Sequence, residues 1–211
     1  MIALRRHALA RLAQAPVADN DADRERAARW HASGRPFVVT RRREASRDVG
    51  LGFCTTEAAH PELRPRRVAA HTDAAFVVDL ALPPTLKEIA RNPAASPHAA
   101  SFSRLAVAAA AAGIAIRVYG SWMWQALTGE RHVHEGSDLD VLVDVADVSA
   151  ADRVTAFLAE IEPTLAFRLD GEISFASLGE VNWREYQQAG PEVLLKSVDA
   201  MRLTPRTELP A

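Results

Sequence analysis

The chain has 211 residues, of which 48% are hydrophobic and 25% charged, a composition typical of a globular protein with one large domain or two small ones. Its single cysteine, Cys54, excludes an intramolecular disulfide and suits a reducing compartment. No apolar run approaches the roughly 20 residues needed to cross a bilayer. Arg5, Arg6 and Arg11 interrupt the only candidate signal peptide. We therefore expect a cytoplasmic protein that does not bind a membrane.

The net charge of −2 is unevenly distributed along the chain. Of the 25 basic and 27 acidic residues, residues 1–80 contain 14 and 10, which leaves 11 and 17 for residues 81–211. A basic part followed by an acidic part suits a polyanionic ligand held between an arginine surface and a metal site. The overall charge gives no reason to expect a nucleic acid partner.

The first 82 residues predict a small, mostly β domain. The opening segment RHALARLA has a helical pattern, and the acidic run DNDAD, residues 19–23, indicates a solvated loop that leads into an exposed helix. Four short runs of branched and aromatic residues predict strands: RPFVVTRR, VGLGFCT, RRVAAH and AAFVVDL. The pair Pro83-Pro84 then marks a boundary. We expect one domain over residues 1–82 and a second over residues 83–211.

The second domain predicts a mixture of helices and strands, so the chain as a whole is expected to have an α+β fold. Ser121 and Ser149 are predicted to cap two of its helices, and residues 181–203 are predicted to supply one or two closing helices. The other predicted elements are, in chain order, the helices TLKEIARN and SPHAASFSRLAVAAAAAG, the strand IAIRVYG, the helix SWMWQALTG, the strand DLDVLVDV, the helix SAADRVTAFLAEIEP and the strand AFRLDGEISFAS.

Two carboxylates, Asp138 and Asp140, lie where an apolar strand begins. Alternation along a strand places both on one face, about 7 Å apart. At an effective dielectric constant near 20 they repel each other by roughly 2 kcal/mol. A cation between them reverses the sign of that energy, and Mg²⁺ fits best because the ligands are oxygens and no cysteine is near. The acidic run at residues 19–23 lacks such apolar flanks.

A glycine and a serine, Gly120 and Ser121, join the preceding strand to its helix. Glycine lets a phosphate approach the backbone, and the start of a helix favours an anion. Either feature alone is weak evidence. Together, the order strand, Gly-Ser, helix, loop and Asp-x-Asp predicts a phosphate-binding turn beside a metal site.

This arrangement resembles the nucleotidyltransferase superfamily that includes DNA polymerase β and the aminoglycoside nucleotidyltransferases. The resemblance implies a polymerase β-like fold for the second domain and a third carboxylate on a later strand. In the segment RLDGEISF, Glu172 is the first choice and Asp170 the alternative, although Asp170-Gly171 is also compatible with a hairpin turn. The spacer between Ser121 and Asp138 is longer than is usual in the superfamily.

Motifs in both halves of the chain also resemble one branch, the holo-[acyl-carrier-protein] synthases of malonate decarboxylase, or phosphoribosyl-dephospho-CoA transferases. They are RHALARL, GRPFVVTRR, DLALPPTLKEIA, YGSWMWQALTG, GSDLDVLVD, RLDGEISF and VNWREY...VLLKS. The resemblance implies a triphosphoribosyl-dephospho-CoA donor and, as acceptor, a serine of the apo acyl carrier subunit, with release of pyrophosphate. It does not explain the motif Trp183-Arg184-Glu185.

The resemblance also implies roles for individual residues. Asp138 and Asp140 are expected to bind Mg²⁺, and Glu172 or Asp170 to complete the catalytic site. Gly120 and Ser121 are expected to bind the triphosphate. Lys196 could contact a phosphate, although an exposed lysine on a helix is an equally good interpretation.

Two other functions stay open. The first is a nucleotidyltransferase that uses ATP to modify a small molecule or another protein. The second is a nucleotide-binding protein that keeps the fold without catalysis, which the presence of Gly120, Ser121, Asp138 and Asp140 disfavours.

Overall fold

The computed structural model of the chain describes residues 4–42, 48–56, 64–176, 178–188 and 190–211. They form two compact units. The first comprises residues 1–83, 127–132 and 197–200, and the second comprises residues 84–126, 133–196 and 201–211. Helices and strands are mixed, which confirms the predicted α+β class. Among the described residues, no helix has the length and apolar character that a membrane span requires.

The described part of the first unit contains one antiparallel sheet and one helix. The strand order is β4-β3-β2-β1-β5. The elements are β1 (Leu9–Leu12), α1 (Asp21–Ala32), β2 (Phe37–Val39), β3 (Val49–Thr55), β4 (Arg66–Thr72) and β5 (Val77–Ala81). A mostly β unit was predicted here, and the four predicted strands correspond to β2 to β5.

Two predictions for this unit were wrong. The segment RHALARLA contains strand β1 rather than a helix, because β1 pairs with both β2 and β5 and its apolar residues are buried in that position. The acidic run is not a solvated loop. Asn20 caps α1, Asp21 and Asp23 lie in its first turn, and Asp23 is buried, with a hydrogen bond of 2.9 Å from Arg66 on β4.

The second unit is built around a six-stranded mixed sheet with the order β11-β10-β9-β8-β7-β6. Strands β7 and β8 are parallel, and the other neighbours are antiparallel. The strands are β6 (Ile116–Tyr119), β7 (Leu139–Val145), β8 (Leu169–Phe175), β9 (Gly179–Asn182), β10 (Glu192–Lys196) and β11 (Met201–Pro205). The helices are α2 (Leu86–Ala90), α3 (Ala99–Ala111), α4 (Gly120–Thr128), α5 (Val148–Ile161) and α6 (Trp183–Gln187).

Three further predictions are corrected here. Residues 181–203 contain one of the predicted helices, α6, but the rest of the segment forms β9, β10 and β11, because Val193 and Leu195 alternate with more exposed residues at the period of a strand. Helix α5 is capped by Asp147, which accepts a hydrogen bond from the Ala150 amide, and not by Ser149. Helix α4 begins at Gly120, so Ser121 lies within its first turn and does not cap it.

The two faces of the six-stranded sheet differ in chemistry. One face packs against helices in a continuous apolar core that includes Val141, Ile173 and Trp122. The strand registers place polar side chains on the other face. The polar residues of this face, which we call the polar face, are Arg117, Tyr119, Asp140, Asp144, Asp170, Glu172, Ser174, Glu180, Asn182 and Lys196. It carries most of the residues for which the sequence predicts a function.

Candidate active site

The turn between β6 and α4 brings Gly120 against the carboxylate of Asp140. Gly120 has a φ of +67°, and a Cβ atom at this position would lie 1.9 Å from Asp140 Oδ2. Only glycine tolerates both the backbone conformation and this approach. The turn and the Asp-x-Asp strand therefore meet, as the order of the motifs predicted. Ser121 follows, half-buried, in the first turn of α4.

A guanidinium lies between two other carboxylates. Arg168 Nη2 is 2.9 Å from Asp138 Oδ2 and 3.6 Å from Asp170 Oδ2. The hydrogen bond to Asp138 and the charge of that carboxylate raise the pKa of Arg168 above its ordinary value. Both carboxylates keep one third of their side-chain surface exposed, so they face solvent together at the start of β7 and β8.

Asp170 is held in a fixed orientation beside Asp140. The two residues are cross-strand partners in the parallel β7–β8 pair. Asp170 Oδ1 accepts hydrogen bonds from the Asn182 amide group at 3.0 Å and from the Gly171 backbone at 2.8 Å. Its Oδ2 atom therefore faces Arg168. The alternative of a hairpin turn at Asp170-Gly171 was wrong, because both residues lie within β8.

Glu172 has a different environment, two residues farther along the same strand. It is 5% exposed and accepts a hydrogen bond of 3.2 Å from Lys196 Nζ. Lys196 lies on β10, so the alternative of an exposed lysine on a helix was wrong. The structure thus places Asp138, Asp140, Asp170 and Gly120 at one end of the polar face. It pairs Glu172 with Lys196 deeper in the sheet.

An open cavity lies next to Arg168. Its volume is about 600 Å³, and it is lined by Glu162, Leu165, Ala166, Phe167, Arg168 and Arg184. Arg168 connects this cavity to the carboxylates, because it lines the cavity and also contacts Asp138 and Asp170.

The carboxylates are chemically suited to a hard divalent cation, since all their donors are oxygens. Asp138 and Asp170 already hold one cation, the Arg168 guanidinium. Within the part of the chain that the structure describes, no three His, Cys, Asp or Glu side chains are arranged as a complete metal-binding group. Mg²⁺ is generally bound by one or two carboxylates together with substrate phosphates and water, so the donor set fits a cation that is bound with its phosphate ligand.

Two residues of this site were missed by sequence reasoning. Arg168 shares a strand face with Asp170 and Glu172, and that alternation could have identified it. Asn182 could not be found in this way, because its contact with Asp170 depends on the pairing of β8 with β9.

The family profile and the relatives found by comparison with known proteins carry the same enzyme name. The family profile described as "Phosphoribosyl-dephospho-CoA transferase MdcG C-terminal domain" matches residues 85–207. A protein of Xanthomonas campestris pv. campestris (strain 8004) named phosphoribosyl-dephospho-CoA transferase is 36% identical over 182 residues, which cover 85% of this chain and 83% of the relative. A protein of the same name from Bradyrhizobium diazoefficiens is 35% identical over 179 residues, covering 85% and 77%. No solved structure matches the chain significantly, so the likeness to the polymerase β-like fold stays a prediction.

Proposed function

Because the chain belongs to the phosphoribosyl-dephospho-CoA transferase family, we propose that it transfers a phosphoribosyl-dephospho-CoA group to a protein. The proposed donor is 2′-(5″-triphosphoribosyl)-3′-dephospho-CoA. The proposed acceptor is a serine of the apo acyl carrier subunit of malonate decarboxylase. The serine Oγ forms a bond to the α-phosphorus of the donor, the bond from that phosphorus to the bridging oxygen breaks, and pyrophosphate leaves.

One observation carries this proposal: the carboxylates of Asp138, Asp140 and Asp170 lie at the same end of β7 and β8, with Asp140 against the Gly120 turn. A triphosphate brings several negative charges to the site, and a carboxylate group repels it unless cations are present. Phosphoryl and nucleotidyl transfers depend chiefly on positioning and charge neutralisation. This site has the fixed carboxylates and the glycine turn that such chemistry requires.

Asp138 and Asp140 are the proposed ligands of Mg²⁺, with Asp170 or Glu172 as the third carboxylate. When bound, Mg²⁺ would neutralise the phosphates and lower the pKa of the serine hydroxyl. The structural surroundings favour Asp170 over Glu172. Asp170 is partly exposed and is the direct partner of Asp140, whereas Glu172 is buried and paired with Lys196.

The chain's own residues have distinct parts in this proposal. Gly120 leaves room at the start of α4, where the backbone N–H groups favour phosphate. Arg168 places a guanidinium at the rim of the site. When the donor enters, this guanidinium leaves the carboxylates and binds the incoming triphosphate. Asp170 Oδ2, which faces Arg168, accepts the proton of the serine hydroxyl. Asn182 keeps that oxygen in place by binding Oδ1.

The proposal is tested by the intact mass of the apo acyl carrier subunit after incubation with the protein, Mg²⁺ and the triphosphoribosyl donor. Asp138→Asn and Asp140→Asn serve as parallel variants, because each removes a charge and keeps the shape of the side chain. We expect the carrier to gain the mass of the phosphoribosyl-dephospho-CoA group with the wild type only.

The same reaction with ATP in place of the donor separates the alternatives. An adenylylated product with ATP, together with an unmodified carrier in the first reaction, would replace the proposed substrate and keep the enzyme class. Transfer by both variants at the wild-type rate would contradict the assignment of the metal ligands.

A further inference from the structure

The start of β8 extends beyond the end of β9, next to the carboxylates. Strand β9 ends at Asn182, which lies opposite Glu172. No β9 residue therefore lies opposite Leu169, the residue between Arg168 and Asp170. The backbone groups of Leu169 are bound by side chains instead. Its N–H donates to Glu162 Oε1 at 2.8 Å, and its carbonyl accepts from Arg184 Nη2 at 2.8 Å.

Glu162 and Arg184 also bind each other, so the three contacts form a closed group. The Arg184 guanidinium packs over the ring of Trp183, 4.2 Å from its centroid, and Trp183 is 1% exposed. We call Glu162 and Arg184 the Leu169 clamp. A charged pair that satisfies two backbone groups at a strand end replaces the hydrogen bonds of the missing neighbouring strand.

Helix α6, which contains Trp183 and Arg184, is also connected to the Asp170 carboxylate. Asn182 is the N-cap of α6 and accepts hydrogen bonds from the amides of Arg184 and Glu185. Its side-chain amide donates to Asp170 Oδ1 at 3.0 Å. The start of α6 is thus connected to the backbone of Leu169 through Arg184 and to the side chain of Asp170 through Asn182.

We propose that Glu162 and Arg184 are positioning residues, which fix the backbone at Leu169 so that Arg168 and Asp170 point into the site. This inference rests on the proposed function, because it assigns a catalytic part to Asp170. It also accounts for the motif Trp183-Arg184-Glu185. Trp183 anchors the helix in the core, Arg184 belongs to the clamp, and Glu185 accepts a hydrogen bond of 2.7 Å from the Leu194 amide on β10.

The test uses Arg184→Met, with Arg206→Met as the matched control. Arg206 makes the same kinds of contact at the other end of α6. It packs 4.0 Å from the Tyr186 ring centroid, donates to the Tyr186 carbonyl at 2.6 Å and lies 3.5 Å from Asp152. Both substitutions remove an ion pair, a hydrogen bond to a backbone carbonyl and a ring contact, so an effect on catalysis that R184M shows and R206M lacks arises from the place of Arg184 in the site.

Three kinds of measurement are made for each variant: kcat and KM for the transfer reaction, the Mn²⁺ affinity in the presence of pyrophosphate, and the hydrogen-exchange rate of the Leu169 amide. We expect R184M to lower kcat by about 10- to 100-fold, the range found for residues that orient metal ligands, with KM for the carrier unchanged. It should weaken Mn²⁺ binding by about tenfold and increase exchange at Leu169. R206M should leave all three at wild-type values.

A conservative variant tests the assignment further. Arg184→Lys should restore part of kcat, because an ammonium can donate to both oxygens without the planar geometry of a guanidinium. Equal losses of kcat in R184M and R206M, or unchanged Mn²⁺ affinity and exchange in R184M, would overturn the clamp. If the wild type transfers no group at all, the proposed function fails. The Mn²⁺ and exchange measurements then decide the clamp by themselves.

Discussion

At the residue scale, the close approach of Gly120 to Asp140 constrains the site strongly. Gly120→Ala places a methyl group 1.9 Å from Asp140 Oδ2 and forces alanine to a φ of +67°. We expect the Asp140 carboxylate to shift and kcat to fall by about 100-fold, as misplacement by 1 Å commonly causes. Steady-state kinetics with the donor and the carrier subunit provide the measurement.

Gly113→Ala is the control for this prediction. Gly113 has the same φ of +67° and no atom within 4 Å of its added Cβ. Both variants carry the backbone penalty of about 1 kcal/mol for a left-handed conformation, so Gly113→Ala shows in a thermal unfolding experiment what the backbone alone costs, and any further loss in Gly120→Ala comes from the contact with Asp140. Equal activity in the two variants would mean that the Gly120 contact has no catalytic importance.

A second pair of substitutions distinguishes the roles of Asp170 and Glu172. Asp170→Asn should reduce kcat by more than about 100-fold, beyond the usual effect of residues that only orient a ligand, with little loss of stability. Glu172→Gln breaks the pair with Lys196 and should lower the free energy of unfolding by about 2 kcal/mol. Kinetics and urea denaturation of both variants give the answer. Loss of activity in E172Q at full stability would support Glu172 as the third carboxylate, as the sequence predicts.

Local patterns select candidate residues whose placement depends on near neighbours in the chain. Asp138 and Asp140 were identified from alternation along one strand, and Gly120 from its place before a helix. The choice between Asp170 and Glu172 was not determined by the sequence, since both residues lie on the same face of the same strand. Their different environments arise from Asn182 and Lys196, which reach them from other strands.

At the element scale, helix α1 is attached to strand β4 by a buried carboxylate. The hydrogen bond from Arg66, assisted by Asn20, lowers the pKa of Asp23 from 3.8 to about 2. A carboxylate with a lower pKa in the folded state stabilises the protein above its unfolded pKa. That contribution, about 2 kcal/mol, is complete above about pH 4 and is lost as the pH falls towards 2.

Asp23→Asn should therefore reduce the free energy of unfolding by about 2 kcal/mol at pH 7, and the difference from wild type should shrink towards zero near pH 2. Urea denaturation at a series of pH values measures it. Asp21→Asn is the control, because the Asp21 side chain is 91% exposed and its removal should cost about 0.5 kcal/mol or less. A constant difference across the pH range would rule out the ionised Asp23–Arg66 contact as its source.

Elements with a clear local period were predicted, and elements that depend on distant partners were not. The apolar strands β3, β7 and β8 and the alanine-rich helix α3 correspond to their predictions. Strand β1 was interpreted as a helix, and β10 and β11 as parts of closing helices. Each of these strands is stabilised by pairing with neighbouring strands. Strand β1 pairs with β2 and β5, and β10 pairs with β9 and β11. Such pairing outweighs the weak local preference of four or five residues.

At the scale of the whole molecule, the two compact units are not two consecutive segments of the chain. Residues 127–132 and 197–200 belong to the first unit although they follow the Pro83-Pro84 pair. Glu130 accepts a hydrogen bond of 2.7 Å from Thr56 and lies 2.6 Å from Arg35. The Arg42 amide donates to the Val198 carbonyl at 2.8 Å. The boundary at residue 82 was predicted from local composition. Local composition does not show that later segments of the chain belong to the first unit.

A fragment of residues 84–211 should consequently be less stable than the intact protein. The cut leaves the second sheet and its core complete, but it removes Arg35, Thr56 and Arg42, which bind residues in the segments 127–132 and 197–200. We expect the fragment to unfold at a lower urea concentration than the intact chain, followed by circular dichroism. Glu130→Gln in the intact chain keeps an acceptor for Thr56 and removes the half-buried charge beside Arg35, so it should cost about 1 kcal/mol. A fragment as stable as the full chain would show that these returning segments contribute nothing to the second unit, and that residue 83 is a true domain boundary.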